Sequence, residues 1–324
     1  MNDNYESKDI NKLIKKDFNK LGITLVMQEL IVNGVMFIAV IGIMIMQMVK
    51  NPNISEDQAK QIFENPSFMG TMSIISVVIA LIPILIYRRK KFFEYDLKVE
   101  NKKFTLKTVI FWFIILLSVN YASGLFVGGL ELGLNTIGLS AISALKDLEL
   151  FNQSAVSIII YGCIVAPIVE EFIYRGAVLR SLEKYGKKFA ILVSGILFGL
   201  MHGNFYQIFM AAGIGIILGY LATEYSIKLT IMLHMINNTF VEVSSQITFH
   251  FGESVGNIID NSLLGISIII LIIAFIRNKK NIKEWLQNNK IEKGIMIRFI
   301  TSITIIIVIA FDIVMVVSGI TTIS

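Results

Sequence analysis

Stretches of roughly twenty apolar residues recur nine times along the chain, at about 28–49, 68–87, 107–130, 155–178, 188–204, 206–223, 228–247, 261–277 and 296–319. An α-helix rises ~1.5 Å per residue, so a segment of that length crosses the ~30 Å of hydrocarbon in a bilayer. The pattern predicts an all-α fold: a polytopic transmembrane helical bundle of about nine spans. Composition agrees. The chain is 55% hydrophobic and 16% charged, against about 45–50% and about 25% in soluble domains.

The charged residues lie between the stretches and set orientation. Arg88, Arg89, Lys90, Lys91, Lys98, Lys102 and Lys103 follow the second stretch, Arg180, Lys184, Lys187 and Lys188 the fourth, and Arg277, Lys279, Lys280 and Lys283 the eighth. The loops at 50–67, 131–154 and 248–260 are poor in basic residues. By the positive-inside rule the protein is a multi-pass cell-membrane protein with a cytoplasmic N-terminus. The net charge of +5 is thus a matter of topology, and nucleic acid is not an expected partner. The single cysteine, Cys163, excludes an intrachain disulfide.

Residues 1–22 form a basic segment with Ile10, Leu13, Ile14, Phe18 and Leu21 on one helical face. The expectation is an interfacial amphipathic helix on the cytoplasmic leaflet, with a solvated charged tail as the alternative. Residues 23–324 then make a single membrane domain. Its loop at 131–154, which contains Lys146, Asp147 and Glu149, has room for a short outer helix.

Ionisable side chains inside the apolar stretches cost at least ~2.5–3.5 kcal/mol each and mark function by default. Glu170 and Glu171 lie near the end of the fourth stretch. Residues four apart share a helix face, so Glu171 is predicted to pair with Arg175, while Glu170 points about 100° away, over Tyr174. Pro167 leaves a backbone carbonyl near Cys163 without its helical donor. Phe198 and His202 are four apart in the fifth stretch, His234 and Asn238 four apart in the seventh. Counted at ~1.5 Å per residue from the flanking lysines and arginines, Glu170, His202, His234 and Asn238 reach depths that overlap. They are therefore candidates for one hydrated pocket between three helices. Structural alternatives remain: an interfacial helix end for Glu171 and Arg175, and interhelical hydrogen bonding for His234 and Asn238. Gly213, Gly215 and Gly219 give the sixth stretch a face suited to close packing. His250 is placed on the surface of an outer loop.

Three ordered motifs, Glu-Glu-x-x-x-Arg at 170–175, Phe-x-x-x-His at 198–202 and His-x-x-x-Asn at 234–238, make the chain resemble the CPBP family of intramembrane endopeptidases. That family includes the type II CAAX prenyl proteases and bacterial Abi-type proteins. The resemblance covers roughly residues 155–245, the expected catalytic core. It departs where the family often has a proline shortly before the last histidine; this chain has Lys228-Leu-Thr230-Ile-Met-Leu-His234. The resemblance implies that Glu170 activates water and His202 positions it. It also implies that His234 and Asn238 stabilise an oxyanion, with Glu171 and Arg175 in support and no cofactor.

Other readings stay open at this point. Glu170, His202 and His234 are also the donor types of a two-histidine, one-carboxylate Zn2+ site. A non-catalytic immunity protein, of the kind that confers bacteriocin immunity, or a scaffold protein would use the same fold without turnover. A proton-coupled transporter would use the same residues as a relay, although no inverted repeat is visible. The partners expected of the enzyme are a membrane-associated peptide or protein substrate and the lipid bilayer.

Overall fold

The computed structural model describes residues 2–50, 55, 58, 64–145 and 155–323, with side chains from residue 9 onward. The polypeptide is an all-α bundle. Its helices are α1 (Asn2–Lys50), α2 (Pro66–Arg88), α3 (Leu106–Thr136), α4 (Val156–Tyr185), α5 (Lys187–Leu200), α6 (Phe205–Glu224), α7 (Ile227–Phe251), α8 (Glu253–Asn288), α9 (Ile295–Ile300) and α10 (Ile303–Ser318). A two-residue antiparallel pair, Leu139–Ser140 with Thr321–Thr322, ties the end of α3 to the C-terminal tail. The segment holding Lys146, Asp147 and Glu149 lies outside the described residues.

Each of the nine apolar stretches carries a helix. Among the described residues, six helices are both long and apolar enough to cross a membrane: α1, α2, α3, α4, α6 and α8. The other three differ for visible reasons. With 14 and 16 residues, α5 and α10 are short. At 25 residues α7 is long enough, but His234, Asn237, Asn238 and Glu242 dilute its apolar character.

The N-terminal segment departs from its expectation. It is not a separate interfacial helix, because α1 runs unbroken from Asn2 to Lys50. Phe18, Leu21 and Leu25 are each 1% exposed. The Phe18 ring meets Tyr185, Phe299 and Phe189 at centroid distances of 4.9, 5.2 and 5.9 Å. Ile10 and Leu13 do stay exposed. Burying a large apolar side chain is worth about 1.5–3 kcal/mol, so the second half of the amphipathic face is held by the bundle rather than by lipid.

Several basic loops meet at one end of the bundle. Lys184 pairs with Asp17, Arg88 with Asp96 at 2.6 Å, Lys102 with Glu224 at 2.7 Å and Lys228 with Glu100 at 3.4 Å. Inside, α5 and α6 form a tight hairpin. A Cβ on Gly199 would lie 2.6 Å from the Ile208 carbonyl oxygen, and one on Gly195 would lie 2.7 Å from the Ile216 nitrogen. The small-residue face expected of the sixth stretch is used as predicted at Gly215 and Gly219, which approach Gly195 and Ile191. Gly203, with φ +58°, turns the chain between the two helices, and Asn204 caps α6 by accepting from the Tyr206 amide at 2.9 Å.

Candidate active site

Helix α4 is wound unevenly. Wide π turns at Tyr161–Val165 and Phe172–Leu179 flank a regular α segment, Ala166–Glu171. Pro167 offers no N–H to the preceding turn, which favours the first irregularity. π turns concentrate at functional sites because they re-aim side chains. Here they bracket the two adjacent glutamates.

Those glutamates occupy different environments. Glu171 is 0% exposed, as is Arg175, and the Arg175 Nη1 donates to Glu171 Oε1 at 2.8 Å. The predicted i,i+4 pair is present. Arg175 Nη2 also donates to the Gly215 carbonyl at 3.2 Å, fastening α4 to α6. Glu170 keeps 18% side-chain exposure and points toward α7, where its Oε2 lies 3.6 Å from His234 Nε2. His234 thus spans both acids, because its Nδ1 lies 3.0 Å from Glu171 Oε1. A carboxylate already paired with arginine only accepts, so His234 Nδ1 carries the proton and its Nε2 is presented to Glu170.

His202 follows the same logic. Its Nδ1 sits 2.8 Å from the Phe198 carbonyl oxygen, which also only accepts, leaving Nε2 available. Glu170 and His234 both lie within electrostatic reach of this ring. The common support is Phe198, which is 2% exposed. His202, His234 and Tyr174 meet its ring near-perpendicular at 5.0, 5.6 and 5.4 Å, and the Arg175 guanidinium carbon stands 4.3 Å from its centroid. Phe198 was legible as a partner of His202 alone; its contacts to three other helical positions depend on how α4, α5 and α7 pack. Tyr161, also electrostatically coupled to Glu170, carried no signal in the sequence.

Asn238 sits on the same helix face as His234, yet its amide nitrogen donates to the Gly162 carbonyl at 3.0 Å. It is engaged with the first π turn rather than with the glutamates. Thr230, in the proline-free run before His234, is buried in the first turns of α7 and donates to Ile227 O at 3.0 Å. The helix is regular from Ile227 onward without that proline. His250, in the last turn of α7, is exposed as expected. Among the described residues, no group of three or more His, Cys, Asp and Glu side chains is gathered as a metal ion requires.

Residues 152–240 match the family model described as type II CAAX prenyl endopeptidase Rce1-like. Glu170, Glu171, Arg175, His202, His234 and Asn238 all fall inside that segment. Over that segment the chain is similar to the type II CAAX prenyl endopeptidases of the CPBP family. The chain is also 27% identical over 176 residues to a Bacillus subtilis (strain 168) protein named "Putative membrane peptidase YdiL", covering 54% of this chain and 71% of that one. No solved structure matches. The matched segment runs through α4, α5, α6 and the first half of α7, the elements that supply every residue of the site.

Proposed function

We propose that the protein is an intramembrane endopeptidase in which Glu170 is the general base that activates water. One observation carries this reading: the partly exposed Glu170 carboxylate faces His234 Nε2 at 3.6 Å, while the neighbouring Glu171 is sealed in an ion pair that holds the other nitrogen of the same ring. Water placed between Glu170 and His202 Nε2 gives one proton to Glu170 as its oxygen attacks the scissile carbonyl carbon. The tetrahedral oxyanion accepts from the Nε2–H of a His234 imidazolium lying between the two carboxylates, its Nδ1–H held by Glu171. Collapse breaks the C–N bond, and the leaving amine takes the proton from Glu170. Fixed donors of this kind are worth about 2.7–4 kcal/mol each in other hydrolases.

Asn238 joins the oxyanion site only when its amide leaves the Gly162 carbonyl; in the present geometry it positions the Tyr161–Val165 turn. No metal is assigned a step. The substrate is a peptide or protein at the membrane, and with the N-terminus cytoplasmic the bond is cut near the cytoplasmic face. The match of residues 152–240 to a prenyl-protease family model does not by itself require a prenyl group on that substrate.

The test is cleavage of membrane-anchored peptides by the purified protein in liposomes. Glu170→Gln is expected to lower turnover by about 10²–10⁴, the range of general acid–base catalysis. A chelator is expected to leave the wild-type rate unchanged. Normal turnover by Glu170→Gln would refute Glu170 as the base, absence of cleavage by the wild type would leave the scaffold reading in place, and loss of activity restored by added zinc would establish the metal one.

A further inference from the structure

We propose that the basic end of the bundle seats the phosphate of an anionic lipid headgroup in the cleft between α1, α2 and α4. This inference is independent of the protease reading. The cleft has a volume of about 530 Å³ and is lined by five basic side chains, Lys20, Arg88, Lys91, Arg180 and Lys184, against two acidic ones, Asp17 and Glu183. Three of the cations are matched: Lys184 by Asp17, Arg180 by Glu183 at 2.7 Å, and Arg88 by a bidentate contact to Asp96. Lys20 and Lys91 are left, both exposed and neither in an ion pair among the described residues, Lys20 acting on Asp17 only through space. Lys91 stands over the Tyr95 ring, 5.4 Å from its centroid.

A second observation points the same way. Arg180 lines the cleft with its side chain 1% exposed, and its Nε has no hydrogen-bond acceptor. A buried guanidinium N–H left without an acceptor is costly, and an anionic oxygen is the partner it is built to take. Two unmatched ammonium groups beside such a donor complement one phosphate. The surroundings select a lipid as its source. The cleft sits where α2 and α4 end, ringed by Tyr87, Tyr95 and Tyr185, the residue type that concentrates at membrane–water interfaces. Ile82, Ile86 and Phe93 remain 50%, 64% and 56% exposed beside it, offering an apolar wall along which an acyl chain can run. Basic pockets between helices at the cytoplasmic face recognise headgroups by this combination.

The full-length protein in detergent micelles, titrated with phosphatidylglycerol, phosphatidylcholine or inorganic phosphate and read by native mass spectrometry, tests this. Phosphatidylglycerol is expected to bind at least about ten-fold more tightly than phosphatidylcholine. The variant Lys20→Gln/Lys91→Gln should weaken it by roughly ten- to thirty-fold, from about a five-fold effect for each lysine near a membrane surface. Lys98→Gln/Lys103→Gln, which removes two exposed lysines at the same end but outside the cleft, should leave binding unchanged. Equal binding of the two lipids, or equal losses in the two double variants, overturns the proposal. So does inorganic phosphate displacing the lipid at equal concentration, since the cleft would then be a site for free phosphate.

Discussion

Replacing Arg175 with Met removes a cation that touches three groups: Glu171 at 2.8 Å, the Gly215 carbonyl at 3.2 Å and the Phe198 ring at 4.3 Å. Glu171 is fully buried, and its Oε2 has no hydrogen-bond partner even with arginine present. Breaking a buried pair from one side costs about 3–5 kcal/mol, because the remaining charge is stranded. Removing both charges, as Glu171→Gln/Arg175→Met, is often close to neutral by the same reasoning. The lost cation–π contact and carbonyl bond, about 2 and about 1 kcal/mol, set an upper limit of about 3 kcal/mol for the double variant. The double variant is therefore expected to be more stable than Arg175→Met alone, with turnover reduced rather than abolished, since a neutral amide oxygen still accepts from His234 Nδ1 but holds the ring less firmly than a carboxylate. Unfolding of purified protein in detergent, followed by circular dichroism alongside the liposome cleavage assay, measures both quantities. A double variant less stable than Arg175→Met would refute the argument that Arg175 exists to hold the Glu171 charge.

Other consequences are narrower. Phe198→Leu should keep the bundle folded, losing about 1–3 kcal/mol of ring contacts, while lowering turnover more than substrate affinity; unchanged kcat would remove Phe198 from the positioning role. Gly199→Ala should destabilise by about 1–3 kcal/mol through overpacking, since its Cβ would meet the backbone of α6; a wild-type unfolding midpoint would show that α5 and α6 are less tightly apposed. Phe18→Ala, at a site where the ring contacts α4, α5 and α9, should cost about 3–5 kcal/mol. A change within ~0.5 kcal/mol would restore the picture of residues 1–22 as a lipid-bound helix.

Apolar length and charge spacing carried most of the architecture, because a bilayer leaves few choices to a stretch of twenty apolar residues. The Glu171–Arg175 pair was legible for a similar reason: it depends only on helix periodicity. What depended on winding or on partners was not. Two π turns shift the phase of α4 around Pro167, and no periodicity argument at 100° per residue anticipates them. Helix periodicity puts His234 and Asn238 on one face of α7, but that His234 bridges both glutamates while Asn238 donates to Gly162 depends on how α7 packs on α4. The N-terminal helix reads as amphipathic in either setting; only the aromatic contacts of Phe18 distinguish protein from lipid as the thing it lies on.

Two neighbouring acids with opposite duties are the core of this account, and the most direct test measures both variants for both properties. Glu170→Gln should unfold at the wild-type temperature and show at least a hundred-fold loss of turnover. Glu171→Gln should unfold several degrees lower, since it leaves Arg175 unpaired in the interior. The reverse outcome, a stable and inactive Glu171→Gln beside an active Glu170→Gln, would contradict the assignment.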